Sequence, residues 1–250
     1  KLFMTDLKHI LSKFSTIQLN QMDKVRLMKR VDKKYLMSYN QLLQLLPLIK
    51  DDYSCLTIDN LRSFDYVTKY YDSPKLLMYY DHHNGKLNRF KIRFRDYEYI
   101  KNSFLEIKIR TNKGVIIKER KEVGYKNHNL TQNNLKFIND NLPYDLKPLD
   151  VKLANNFKRI TLVNLEQNER VTIDTNIVFS NSDFQIELPH LVVVELKQEK
   201  QNLNASIAQM FKENRISSTS FSKYAIGMAL THNGVKKNNF KQKINYINTI

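Results

Sequence analysis

The middle of the chain is dominated by a period of two. Successive strand side chains point to opposite faces, so residues 87–97 place Phe90, Ile92 and Phe94 on one face and Lys91, Arg93 and Arg95 on the other. The same alternation recurs over 103–110, where Leu105, Ile107 and Ile109 oppose Glu106, Lys108 and Arg110. Over 115–120, Val115 and Ile117 oppose Lys118 and Arg120. Residues 157–165 set Ile160 and Leu162 against Arg159 and Thr161, and residues 170–179 set Val171 and Ile173 against Arg170 and Asp174. Residues 191–198 oppose Val192, Val194 and Leu196 to Glu195 and Lys197. Two earlier strands are predicted over 27–39 and 65–72.

Helical spacing is confined to short stretches. Leu7, Ile10, Leu11 and Phe14 make a stripe within 3–22. Asn40 reads as the cap of an apolar helix over 41–49, and Ser73-Pro74 as the start of one ending near 81. Further helices are predicted over 131–141, 204–214 and 222–231. Residues 236–243 read as a frayed basic end. Strands outnumber helices and follow one another, so the expected class is α+β with antiparallel strands.

Charge sharpens this picture. The 250 residues carry 41 Lys plus Arg against 25 Asp plus Glu, a net charge of +16. Such a field draws polyanions. No zinc-finger or RNP-type motif marks a nucleic-acid binder, so nucleic acid is not the expected partner. The single cysteine, Cys55, excludes an internal disulfide and any cysteine-based metal site, and reads as a semi-buried thiol. No run of 18 apolar residues suggests a membrane helix. His82 and His83 sit at a turn and read as exposed; the tyrosines, Tyr70 and Tyr71 included, read as packing.

An antiparallel sheet often buries one face and wets the other. A wet face normally mixes its charges, because like charges opposite one another on adjacent strands repel. Here cations predominate on the polar faces. A closed barrel accounts for that better: apolar faces outward under helices, cationic faces inward around a phosphate chain. Arg suits phosphate oxygens by bidentate geometry and Lys as a point charge.

Eight segments appear in order: RVDKKY at 30–35, TKYYDS at 68–73, KIRFR at 91–95, LEIK at 105–108, IKER at 117–120, ERVTIDTNI at 169–177, VVELK at 193–197 and SFSKYAIG at 220–227. Together they resemble the VTC domain, the polyphosphate polymerase catalytic domain of the triphosphate tunnel, or CYTH-like, superfamily. The resemblance implies a closed antiparallel eight-stranded barrel with helices packed outside. It also implies one domain over 1–250, with a helical extension at 1–24, the tunnel core at 25–231 and a basic tail at 232–250. By position, Lys34, Arg93, Arg95, Lys108, Lys118, Arg159 and Arg170 resemble the family's phosphate ligands, Lys197 beside them, with Ser222 and Lys223 at the start of the last helix. Glu195 resembles the carboxylate that holds Mn²⁺ or Mg²⁺. The catalytic set so implied is Lys34, Arg93, Arg95, Lys108 and Glu195. ATP or another nucleoside triphosphate and inorganic polyphosphate are the implied ligands. The implied location is cytoplasmic, with a membrane-protein partner at the inner face of a membrane. Oligomeric state stays open.

Two departures stand out. Hydrolytic relatives carry ExExK on the first strand, where this chain has Arg30, Asp32 and Lys34. VTC domains tend to place a lysine two residues before the Ser-Lys pair, where this chain has Ser220. Glu106 and Asp174 are candidate helpers but read first as salt-bridge partners of nearby cations. A phosphate-binding sensor without turnover and a triphosphatase are the alternative readings.

Overall fold

The structure, a computed structural model, describes residues 2–25, 31–143 and 148–250. Arg30 and the expected strand start at 27 lie outside the described residues. Helix α1 (Leu2–Ser12) is followed by a short strand β1 (Ser15–Ile17), so the helical spacing expected over 3–22 is interrupted after Ser12. Next come β2 (Val31–Ser38), α2 (Tyr39–Leu45), β3 (Ser54–Leu56), β4 (Phe64–Asp72) and α3 (Leu77–His83). A run of strands, β5 (Arg89–Tyr97), β6 (Asn102–Arg110) and β7 (Ile116–Val123), leads to α4 (Gln132–Asp140). Strands β8 (Asp150–Asn164), β9 (Glu169–Ser180), β10 (Gln185–Leu188) and β11 (Leu191–Gln198) follow. Helices α5 (Ser206–Glu213), α6 (Lys223–Thr231) and α7 (Lys241–Thr249) close the chain.

The strands form one sheet of eleven. Eight follow the order β2-β11-β9-β8-β4-β5-β6-β7, while β1, β3 and β10 branch from it. The ladders along that path are antiparallel; β1 and β3 pair in parallel. The closed barrel expected from charge and resemblance is not formed. Among the described residues no ladder joins β7 to β2. The outer edge of β2 is already occupied: Tyr35 bridges Ser218, and the Thr219 N–H donates to the Lys34 carbonyl at 2.8 Å. With those backbone groups satisfied, β2 offers β7 no continuous ladder. Strand β7 is left as an edge, and Val115, Ile116 and Ile117 beside it are exposed.

Apolar residues leave the sheet on both sides. Tyr35 and Met37 of β2, Val171 and Ile173 of β9, and Val192, Val194 and Leu196 of β11 are buried with α1, α2 and α5 in one cluster. Helix α6 departs from the expectation that helices pack outside. Its Tyr224, Ala225, Ile226, Met228 and Ala229 share a second cluster with Leu36, Leu191 and Val193, which have the same strand parity as Lys34, Glu195 and Lys197. The charged side of β2 and β11 thus turns apolar where α6 fills the concave face. At Gly227 the approach is so close that a Cβ would stand 2.6 Å from Leu153 Cδ2 and Phe179 Cδ1.

A bulge makes this possible. Between β8 and β9 the register shifts as Asn156↔Val178 gives way to Lys158↔Thr175, and Asn176 takes φ 50°. Asn tolerates this left-handed region better than most residues. One extra residue reverses strand parity. Val171 and Ile173 therefore join the outer cluster, whereas Ile177 and Phe179 join the α6 cluster.

Ser38, not Asn40, caps α2. Its Oγ accepts from the Gln41 N–H at 3.2 Å, and Gln41 Oε1 accepts from the Ser38 N–H at 2.9 Å. Pro47 then carries the chain into a 3₁₀ turn, Leu46–Ile49. Ser38→Ala should cost about 1 kcal/mol, read as a lower denaturation midpoint with an unchanged slope. The C-terminal end is not frayed either: α7 buries Ile247, whose carbonyl bonds the His190 ring, and Tyr79 donates to the Lys236 carbonyl at 2.6 Å. No described helix is long and apolar enough to cross a membrane.

Candidate functional site

Register aligns the charges of the concave face in rows. Lys91 of β5 stands opposite Lys108 of β6, which stands opposite Lys118 of β7. One step along, Arg93, Glu106 and Arg120 form the next row. Three ammonium groups across three adjacent strands repel one another unless counter-charge is supplied.

Three carboxylates supply part of it, each held by two cations. Glu106, buried, accepts from Arg93 Nε at 2.7 Å and pairs with Lys118. Asp174 takes Arg159 in bidentate fashion, Nε at 2.6 Å and Nη2 at 2.7 Å, and also pairs with Lys223 of α6. Glu195 of β11 pairs with Lys34 of β2 at 3.0 Å and with Lys197 at 3.5 Å. Burial opposes ionisation of all three carboxyls, yet the surrounding cations outweigh it. Glu106 and Glu195 are held far below the usual range, and Asp174 is brought to about 2. Glu106 and Asp174 thus take the salt-bridge role expected of them.

The expected site residues converge. Lys34, Arg93, Arg95, Lys108 and Lys118 line one cavity of about 450 Å³ together with Arg159, Arg170, Glu195 and Lys197, and Ser222 and Lys223 close it at the start of α6. Ser222 caps that helix, its Oγ accepting from the Ala225 N–H at 3.2 Å. Burial lowers the Lys108, Lys118 and Lys223 ammonium groups to about 8 each, despite nearby carboxylates. An anion entering here meets cations whose charge it reinforces.

Other contributors were less visible in the sequence. Tyr66 and Phe157 stack at 5.4 Å and 12° beneath the cations; the Arg159 guanidinium lies 5.2 Å from each ring centroid and Lys223 Nζ 4.5 Å from that of Phe157. Cation–π contact of this kind holds a charge in place without neutralising it. Tyr70, expected as packing, lines the cavity and accepts from Arg93 Nη1 at 3.4 Å. Lys91, absent from the expected ligand set, donates from Nζ to Ser222 Oγ at 2.8 Å. Its alternation with Arg93 and Arg95 was the signal for it. His82 and His83 are not exposed: His83 is buried between Asn84 and Asn238, and His82 Nδ1 is buried. At Ser220, Lys243 of α7 donates to the Oγ at 2.9 Å, so a cation reaches that position from elsewhere in the chain.

Among the described residues, no cluster of three or more His, Cys, Asp or Glu side chains could hold a metal. Glu195 supplies one carboxylate, already facing two ammonium groups. That donor set fits a divalent cation bound chiefly through a ligand's own phosphate oxygens and water.

An open antiparallel sheet whose concave face gathers cations around paired carboxylates defines an anion-binding α+β protein. The VTC domain profile matches residues 29–232, and the chain belongs to that family. Among solved structures, the putative adenylyl cyclase HpAC1 from Hippeastrum, described as having a dominant triphosphatase activity, is similar at TM-score 0.52 and 12% identity, over 83% of this chain and 98% of that one. This likeness is one of fold. A conserved hypothetical protein from Pyrococcus furiosus gives TM-score 0.40 and 10% identity, over 75% and 89% of the two chains. No curated protein matches the sequence.

Proposed function

We propose that the chain binds triphosphate or inorganic polyphosphate on its cationic concave face and transfers the terminal phosphate of ATP to a growing polyphosphate. The observation that carries this reading is the single cavity into which Lys34, Lys108, Arg93, Arg159 and Lys197 all project. Phosphoryl transfer asks for positioning and charge stabilisation rather than a protein nucleophile. A terminal oxygen of the polyphosphate attacks the γ-phosphorus; a new P–O bond forms there, the bond to the β-phosphate oxygen breaks, and ADP leaves with the electron pair. Arg93, fixed by Glu106 and Tyr70, and Arg159, fixed by Asp174 and the Tyr66–Phe157 stack, present N–H groups to non-bridging oxygens. Lys108 and Lys118 follow the charge as it spreads. Mn²⁺ or Mg²⁺ would be held by Glu195 together with phosphate oxygens, and supplies further neutralisation when bound.

Purified protein incubated with ATP and Mn²⁺ should form polyphosphate and ADP in step. Arg159→Lys keeps the charge but not the bidentate fork, and should lower that rate about 100-fold. Tight tripolyphosphate binding with no ADP would instead identify a sensor. Orthophosphate released from tripolyphosphate would identify a triphosphatase, the activity named for the Hippeastrum protein.

A further inference from the structure

The cavity has a second arm, of about 470 Å³, that shares Lys34, Lys91 and Lys108 with the first and continues towards α3 and α7. The two arms differ in how their charge is balanced. In the first, six of the lining cations are matched to Glu106, Asp174 and Glu195 as described above, and Asp32 lines both arms. In the second, among the described lining residues Asp32 is the one carboxylate. Arg89 stands directly opposite Arg110, and Lys91 opposite Lys108, in consecutive inward positions of the β5–β6 ladder. Arg89 donates to the Lys86 carbonyl, Lys91 to Ser222 Oγ and Lys243 to Ser220 Oγ, and among the described residues none of these groups has a carboxylate partner. His82 of α3 adds a buried Nδ1 that has no hydrogen bond among the described residues.

We infer that this second arm is an additional binding station for a phosphate group, held by Arg89, Lys91, Arg110, Lys243 and His82. The inference rests on the reading that the first arm binds phosphate. Its physical basis is the imbalance itself. A phosphate entering the first arm must compete with carboxylates already seated there, whereas one entering the second meets Arg89, Lys91 and Lys243, held by neutral oxygens only. Lys243 reaches the station from α7, so the C-terminal helix becomes part of the ligand shell.

Proton uptake follows from the same geometry. His82 is surrounded by Lys91 and Arg89 from β5, Arg110 from β6 and Lys243 from α7, with the Phe240 ring 6.0 Å away. Burial and those cations keep its imidazole neutral. Burial, then Lys108, Arg89, Arg93 and Lys34, press the Lys91 ammonium well below its usual range. A phosphate dianion among them reverses the field and favours the charged forms, so binding draws protons from solution.

The test is calorimetric titration with inorganic tripolyphosphate and with linear hexaphosphate, in buffers of different ionisation enthalpy. Wild type should take up protons on binding near neutral pH. The Arg110→Gln/Lys243→Gln double variant relieves repulsion between cations, and should fold at least as stably while binding about tenfold or more weakly. His82→Gln should fold and reduce the protons taken up. If the station holds part of the chain seated in the first arm, hexaphosphate binds more tightly than tripolyphosphate in wild type but not in the double variant. If it holds a separate ion, orthophosphate adds one further site to tripolyphosphate-saturated wild type, and the double variant loses it. Tripolyphosphate binding that Arg159→Lys weakens, with neither signature present and both variants unchanged, overturns the station and leaves the first arm standing. No tripolyphosphate binding by wild type overturns both.

Discussion

Glu106→Gln should destabilise the protein by about 3 kcal/mol or more, and tripolyphosphate should restore most of the loss. The carboxylate is buried between Arg93 and Lys118, with Lys91 and Lys108 in the adjacent row. Removing its charge leaves the half-buried Arg93 and the more exposed Lys118 facing others of the same sign. An added phosphate supplies the missing negative charge from outside, so the ligand should raise the denaturation midpoint more in the variant than in wild type. The acid limb carries the same information. The folded-state pKa of Glu106 lies below its unfolded value, so its contribution is present above the unfolded pKa of about 4.3 and is lost as pH falls through and below that value. Unfolding curves recorded from pH 6 to pH 3 should be flatter for Glu106→Gln than for wild type. Equal slopes and equal ligand rescue would remove Glu106 from the charge balance of the cavity.

Gly227→Val should be the most damaging single apolar substitution on α6. The first atom of any side chain there meets Leu153 and Phe179 at 2.6 Å, and both neighbours are buried. Overpacking of this kind costs about 3 kcal/mol, corresponding to a fall in melting temperature of roughly 6–12 °C for a domain of this size. Gly227→Ala should move it in the same direction by less. Because α6 begins at Ser222 and Lys223, a shift of the helix also displaces the Lys223–Asp174 pair. Ligand affinity should therefore fall along with stability. A Gly227→Val protein with an unchanged melting temperature would show that the helix has room to retreat.

Much of the concave face was legible from alternation. Phe90 to Arg95 and Leu105 to Arg110 obey period two without interruption, and their cations lie where the pattern puts them. Strand β9 shows where that reasoning stops. Val171, Ile173, Ile177 and Phe179 all fall on odd positions and read as a single face, but the bulge at Asn176 sends the last two to the opposite side. A left-handed Asn leaves little trace in a local pattern. The open seam was illegible for a related reason. Whether β2 pairs with β7 depends on Ser218 and Thr219, distant in sequence, reaching the edge of β2. Likewise Lys243 stands in a basic stretch with weak apolar spacing, and only the packing of Phe240 and Ile247 brings it to Ser220. Long-range placement, not local preference, decided each of these.

The unpaired edge of β7 has a mechanical consequence. In a ring closed by hydrogen bonds, the bore would be fixed by strand number and stagger. Here the distance from Lys118 on β7 to Lys34 on β2 is set by no backbone ladder. It is a compliant dimension, like the gap of a calliper. A bare phosphate chain and one sheathed in metal ions and water differ in girth, and a compliant bore can grip both.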